Sequence, residues 1–164
     1  MANSEMGKVL EQAGFTNVRA YLDMLWIMDE LAELEPPKGY SVRSFQTGDT
    51  PLLTPVQNGA FTGTWEFRPN TEEQFEYPTQ MPNTSKDGIS FLIEGNIPAG
   101  YCWTMMAPSP SEKRMRGVIG MIAVVPGYRV KGVNRHILQA GMKHLRSIGL
   151  AETGLDVDEI TPRR

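Results

Sequence analysis

The segment GVIGMIAVVPGYRVKGVNRHILQAGMKHLRSIG, residues 117–149, constrains the fold more than any other part of this chain. Its apolar run from Val118 to Val125 carries no charge, which predicts a central strand buried on both faces. Pro126–Gly127 turns the chain, and a short basic loop holding Arg129, Lys131 and Gly132 leads straight into an amphipathic helix. Ile137, Leu138, Gly141, Leu145 and Ile148 share one face of that helix. Lys143 and Arg146 lie on the other, and Gly149 suits its C-terminal cap. A strand that feeds a helix through a glycine-bearing loop gathers unpaired backbone amides at one spot, as a phosphate group requires.

The remaining elements follow from periodicity and turn residues. Residues 4–13 predict a short helix closed by Gly14, with Met6, Val9, Leu10 and Ala13 at helical spacing. Val18–Met28 fits a strand or a helix, its aromatic and branched residues favouring strand. Residues 30–39, with Pro36–Pro37, predict a connector, and Tyr40–Phe45 a strand. Residues 49–80 predict a helical, irregular region in which Thr71 caps a helix and Gln74 completes a capping box. Ile89–Ile93 and Ala99–Met106 form a hairpin around Gly95–Asn96. A polar, flexible loop over 108–116 follows, and Leu155–Asp158 alternates as a last short strand. The pattern predicts a mixed α/β sheet without internal repeats.

A chain of 164 residues suffices for one compact domain. Its net charge of −3 gives no general reason to expect nucleic-acid binding, so any basic site must be local. A single cysteine, Cys102, excludes an internal disulfide framework and fits a reducing compartment. The first residues lack an apolar signal core and no run reaches membrane-spanning length, so the expectation is a soluble, cytoplasmic domain without membrane partners.

The chemistry of the loop narrows by exclusion. No Gly-Lys-Ser/Thr follows Gly132, which argues against a nucleotide-triphosphate P-loop, and the dinucleotide GxG is missing. What stands is Val-x-Pro-x-x-Arg-x-x-Gly-x-Asn opening a helix. Arg129 supplies a cation, Gly132 permits close backbone approach, and the amides from Val130 to Asn134 can converge on a pyrophosphate. A basic surface turn is the other reading of the same residues.

The segment Val124–Val125–Pro126–Gly127–Tyr128–Arg129–Val130–Lys131–Gly132–Val133–Asn134–Arg135 resembles the acetyl-CoA-binding motif of the GNAT-type N-acetyltransferases. In that family a strand ending in Val-x-Pro runs into Arg/Gln-x-x-Gly-x-Gly/Ala; here the final small residue is Asn134. The resemblance covers about residues 40–160. It implies a mostly antiparallel twisted sheet flanked by helices, with acetyl-CoA as co-substrate. Cofactor contacts would then come from Val124, Val125, Arg129, Val130, Lys131, Gly132, Val133, Asn134 and Arg135.

The family continues past its last matching strand with Asn-x-x-Ala-x-x-Leu-Tyr-Glu-x-x-Gly-Phe and a further strand. Here Asn3, Glu11 and Gly14–Phe15 keep the spacing of that element at the front of the chain. The resemblance therefore implies that residues 1–29 are the family's C-terminal helix–strand unit, 30–39 the connector and 40–164 the core, with Asn3 joining the cofactor contacts. A circularly permuted domain, a homodimer swapped through residues 1–29, and a cut across two tandem domains are the arrangements consistent with this order.

The tyrosine that often serves the family as general acid is replaced by Leu10, and the strand 118–125 has no carboxylate. Glu94 as base and Tyr128 as acid are the replacement candidates; Glu72, Glu73, Glu76, Asp156 and Tyr101 are weaker ones. His136 and His144 lack metal-ligand spacing and are expected at the surface, Cys102 is expected in the core, and no metal is expected, although Asp156, Asp158 and Glu159 cluster. The aromatic residues of 61–77 and 101–106 suit either core or an apolar acceptor pocket. The resemblance implies an acetyl-CoA-dependent N-acyltransferase acting on a small amine by direct attack in a ternary complex. A non-catalytic acyl-CoA-binding or ligand-sensing module is the alternative, consistent with Leu10 and Asn134.

Overall fold

The computed structural model describes residues 5–27, 30–110, 113–129 and 132–158. It contains six strands, β1 (Tyr21–Ile27), β2 (Tyr40–Ser44), β3 (Ile89–Glu94), β4 (Ile97–Pro108), β5 (Met115–Val124) and β6 (Glu152–Asp158). The helices are α1 (Glu5–Gln12), α2 (Thr50–Phe61), α3 (Glu72–Glu76) and α4 (Asn134–Ser147). The chain divides into two compact units, residues 1–24 with 156–164, and residues 25–155.

In the first unit α1 ends in a glycine cap. Phe15 N–H reaches Leu10 O and Gly14 N–H reaches Glu11 O, both at 3.0 Å, with Gly14 at a φ of +90° that glycine adopts freely. The Arg19 guanidinium is ion-paired with Asp158. None of α1 is buried: Met6, Val9 and Leu10 are exposed, as are Phe15, Tyr21 and Leu22.

In the second unit the strands run in the order β6-β5-β4-β3-β2. All neighbouring pairs from β2 to β5 are antiparallel, and β5 meets β6 in parallel. Alternation along the strands sorts the core into two layers. Phe91, Tyr101 and Trp103 face Leu53, Val56 and Phe75 of α2 and α3. Leu92, Cys102 and Ile119 face Val133, Ile137 and Leu145 around α4. The Thr71 capping box forms as its sequence predicts, with Gln74 N–H on the Thr71 hydroxyl and Thr71 N–H on the Gln74 side chain.

Three expectations are corrected. First, β5 is not buried on both faces: Gly120 is exposed and Met121 is 37% exposed. The cause is topological, since β6 pairs with β5 only at Gly117↔Thr153 and Val118↔Gly154. Gly120 also forms a bulge, left without an opposite residue between the pairs Thr104↔Ile119 and Trp103↔Met121. Second, residues 108–116 are not all loop, because β4 extends to Pro108 and β5 begins at Met115. Third, Ile148 is 46% exposed and leaves the buried face of α4, lying beyond the helix at its glycine-capped end.

Candidate functional site

The loop between β5 and α4 has the geometry its sequence suggests. Pro126–Tyr128 forms a 3-10 turn, and Gly132 sits at φ +70°, where a side chain would be strained. A Cβ added at Gly132 would meet nothing within 4 Å among the described residues other than its chain neighbours. The residue before α4, Val133, has no side-chain oxygen, and among the described residues no side chain caps the helix. By contrast, the short helix α3 carries a complete capping box. His136 N–H reaches Val133 O at 3.1 Å, and the amides ahead of it have no side-chain cap among the described residues, in the positive field of a helix N-terminus.

Two adjacent loop residues fix this turn to the body of the second unit. The Tyr128 ring meets the Tyr40 ring edge-on, with centroids 6.4 Å apart and planes at 86°. Arg129 donates from Nε to Val124 O at 3.0 Å and from Nη2 to Ala60 O at 2.6 Å. The side chain expected to face phosphate is thus engaged with two carbonyls, one at the end of β5 and one in the last turn of α2.

Glu94 and Tyr128 are brought to a common neighbour, Tyr40, which sequence reasoning passed over. Tyr40 pairs with Glu94 across β2 and β3. Burial, and then the neighbouring Glu94 carboxylate, push the Tyr40 phenol above its ordinary pKa. The Tyr40 hydroxyl is buried, with Glu94 beside it and no hydrogen bond of full geometry among the described residues. Glu94 lies two strands from β5, about 10 Å of sheet.

His136 lies in the first turn of α4 and is buried, at 4% exposure, contrary to the surface position expected from sequence. Its Nε2 accepts from Arg135 Nε at 3.3 Å and its buried Nδ1 has no partner among the described residues. Burial, with Arg135 adding, holds it below the usual histidine pKa. The same helix is also held by a segment far away in sequence. Gln139 donates to Ala32 O and accepts from Leu34 N–H at 3.2 Å, and Lys143 reaches Glu33 at 3.3 Å, which binds the connector to α4.

Other candidates separate. Tyr101 is fully buried, its hydroxyl held by Gln57 and by the Met121 sulfur at 3.2 Å. Cys102 is fully buried, and burial pushes its thiol up to about 12. Glu72, Glu73, Glu76 and Asp156 are exposed, and Asp158 is paired with Arg19. Of the aromatic residues, Phe75, Tyr101 and Trp103 are core, whereas Trp65 and Tyr77 are exposed. Among the described residues no group of three or more potential metal ligands converges. Asn3, Val130, Lys131 and Glu159 lie outside the described residues. A cleft of about 380 Å³ between β2 and α4, lined by Ser44, Asp87, Ser90, Lys143 and His144 among others, does not include the loop. No helix among the described residues is long and apolar enough to cross a membrane.

Comparison with known proteins agrees with this geometry. Residues 50–161 match the model of the acetyltransferase (GNAT) family. A mycothiol acetyltransferase of Saccharopolyspora erythraea is 28% identical over 154 residues, covering 92% of this chain and 49% of that protein. One from Thermobispora bispora is 30% identical over 154 residues, covering 90% and 52%. This chain therefore spans about half the length of these relatives. A GCN5-related N-acetyltransferase of Sphaerobacter thermophilus superposes with a TM-score of 0.75 at 22% identity, over 97% of this chain and 49% of the other. A GNAT family acetyltransferase of Brucella melitensis, solved in complex with acetyl-CoA, gives 0.61 at 15% identity over 71% and 74%.

Proposed function

Because this chain belongs to the acetyltransferase (GNAT) family, we propose that it binds acetyl-CoA at the loop between β5 and α4 and acetylates a small amine. The observation that carries the reading is the uncapped N-terminus of α4 behind Gly132, whose conformation and open front suit a pyrophosphate. The amides of Gly132, Val133, Asn134 and Arg135 would hold that group, joined in this reading by Val130, Lys131 and Asn3. Beyond Val118, β5 is no longer paired with β6, so its backbone edge up to Val124 can bond an extended ligand arm, with Val125, whose N–H already goes to Ala99 O, beside it. Acetyl-CoA supplies the acetyl thioester.

Direct attack in a ternary complex asks little more of the protein than positioning and proton handling. Glu94 is our candidate base and Tyr128 our candidate acid; their shared contact with Tyr40 supports treating them as one cluster. Glu94→Gln then lowers kcat by about 10²-fold or more. An unchanged kcat would remove Glu94 from the mechanism. The named activity of the relatives makes an amine related to mycothiol the first acceptor to test. Isothermal calorimetry with CoA and acetyl-CoA tests the whole reading. No binding to either sinks it, and binding without transfer across an amine panel selects the sensing module.

A homodimer through residues 1–29 belongs to the same reading, supported by the exposed apolar side chains of α1 and β1. Sedimentation at increasing concentration should show association, and a single monomeric species throughout would dismiss it. We place the protein in the cytoplasm, which the reduced, buried Cys102 supports.

A further inference from the structure

We infer that Arg129 is a positioning residue that couples the cofactor loop to the C-terminal turn of α2, and is not itself a phosphate ligand. The last carbonyls of a helix have no partner within it, and cations are favoured there. In α2 these groups are shared out carefully. Asn58 O takes Thr62 N–H at 3.0 Å, Phe61 O takes Thr64 N–H at 3.0 Å, and Ala60 O takes the Arg129 guanidinium at 2.6 Å. The same guanidinium holds Val124 O, which fixes where β5 gives way to the loop. Asn58 in turn clasps Asn70 from both sides, donating to its carbonyl and accepting from its amide at 2.9 Å each. Loop, α2 terminus and the segment up to Asn70 are thereby one hydrogen-bonded unit.

Tyr128 and Arg129 divide the labour. The tyrosine packs towards Tyr40 in the layer around α4, whereas the arginine reaches Ala60 in the layer around α2. Adjacent side chains thus anchor the turn to both layers. A ligand that orders the loop amides must also order Arg129 and, through it, residues 58–70. Resting on the acetyl-CoA reading above, this means that filling the cofactor loop rigidifies the α2 side of the sheet, so that the two are thermodynamically linked.

Arg129→Met and Arg129→Lys provide the test. Hydrogen exchange without ligand should show faster exchange at 58–70 in Arg129→Met, with β3 and β4 unchanged and Arg129→Lys intermediate. This comparison needs no cofactor, so it holds even if acetyl-CoA binding itself fails. With CoA, protection should appear at both 132–137 and 58–70 in the natural protein, but only at 132–137 in Arg129→Met. Affinity supplies the second readout. Arg129→Met should weaken CoA only together with the faster exchange at 58–70, because it acts by loosening the loop and its anchor. A loss of CoA affinity of about tenfold or more with exchange at 58–70 unaltered would show a direct phosphate contact and overturn the inference. Unaltered exchange at 58–70 would overturn it too.

Discussion

A Cβ placed on Gly141 would stand 2.5 Å from the Cys102 sulfur and 2.9 Å from Thr104 Cγ2, so α4 lies on β4 with no room for a methyl group. Gly141→Ala should therefore destabilise the fold. Overpacking of a tight core costs about 1–3 kcal/mol, from which the better helix propensity of alanine subtracts up to about 1 kcal/mol. Adding Cys102→Ala should recover part of the loss by removing the nearest atom. Denaturant midpoints of the two single variants and the pair measure this; strict additivity would refute the contact.

The same cysteine should be chemically silent. With its thiol pushed up to about 12 by burial, Cys102 carries little thiolate at neutral pH and is fully enclosed. A disulfide reagent should label it only after unfolding, and rapid labelling of the native protein would contradict its place in the core.

Gly132→Asp should abolish CoA binding. The substitution adds a charge that opposes phosphate and forces a β-carbon onto a backbone at φ +70°, a cost of about 1–2 kcal/mol to the fold. Calorimetry that shows unchanged affinity would refute the loop assignment, and a far-ultraviolet spectrum like that of the natural protein would exclude unfolding as the cause.

Two histidines predict an acid-sensitive fold. Burial, with Arg135 adding, lowers the pKa of His136; burial also lowers that of His144, against an opposing pull from Asp87. Both therefore bind protons less readily in the folded state than in the unfolded chain. Above the ordinary histidine value of 6.5 both states are neutral and the full stability is present. As pH falls below that value the unfolded chain gains protons first and stability declines. Melting temperatures between pH 7.5 and 5.5 should fall, and His136→Gln should flatten the slope; an unchanged slope in that variant would exclude His136 as a source.

What the residues disclose in sequence depends on how far their partners lie. The Thr71 capping box, the Gly95–Asn96 hairpin and the Gly132 turn are made by neighbours, so composition and spacing are enough to find them. Arg129 was recognisable as part of a phosphate-type loop, but its partner Ala60 is 69 positions away and offers only a backbone carbonyl, which has no sequence signature. His136 has a helical position that looks polar and is nonetheless buried, and the connector bound to the same helix through Gln139 lies more than 100 positions earlier. The exposure of β5 was hidden for another reason: an apolar run signals burial, yet here β6 stops pairing with β5 after Gly154.

The bonds from Gln139 and Lys143 to the chain around Glu33 also change what residues 30–38 are as a polymer. A free linker of that length would sample many end-to-end distances, roughly 5–6 Å times the square root of its length when glycine-rich. Here a single amide grips the peptide on both sides of Glu33, an ion pair holds Glu33 itself, and Pro36–Pro37 limits the remaining torsions. Its length is thereby a structural dimension. Extra glycine and serine inserted there would add slack and loosen the grip of Gln139 on the segment.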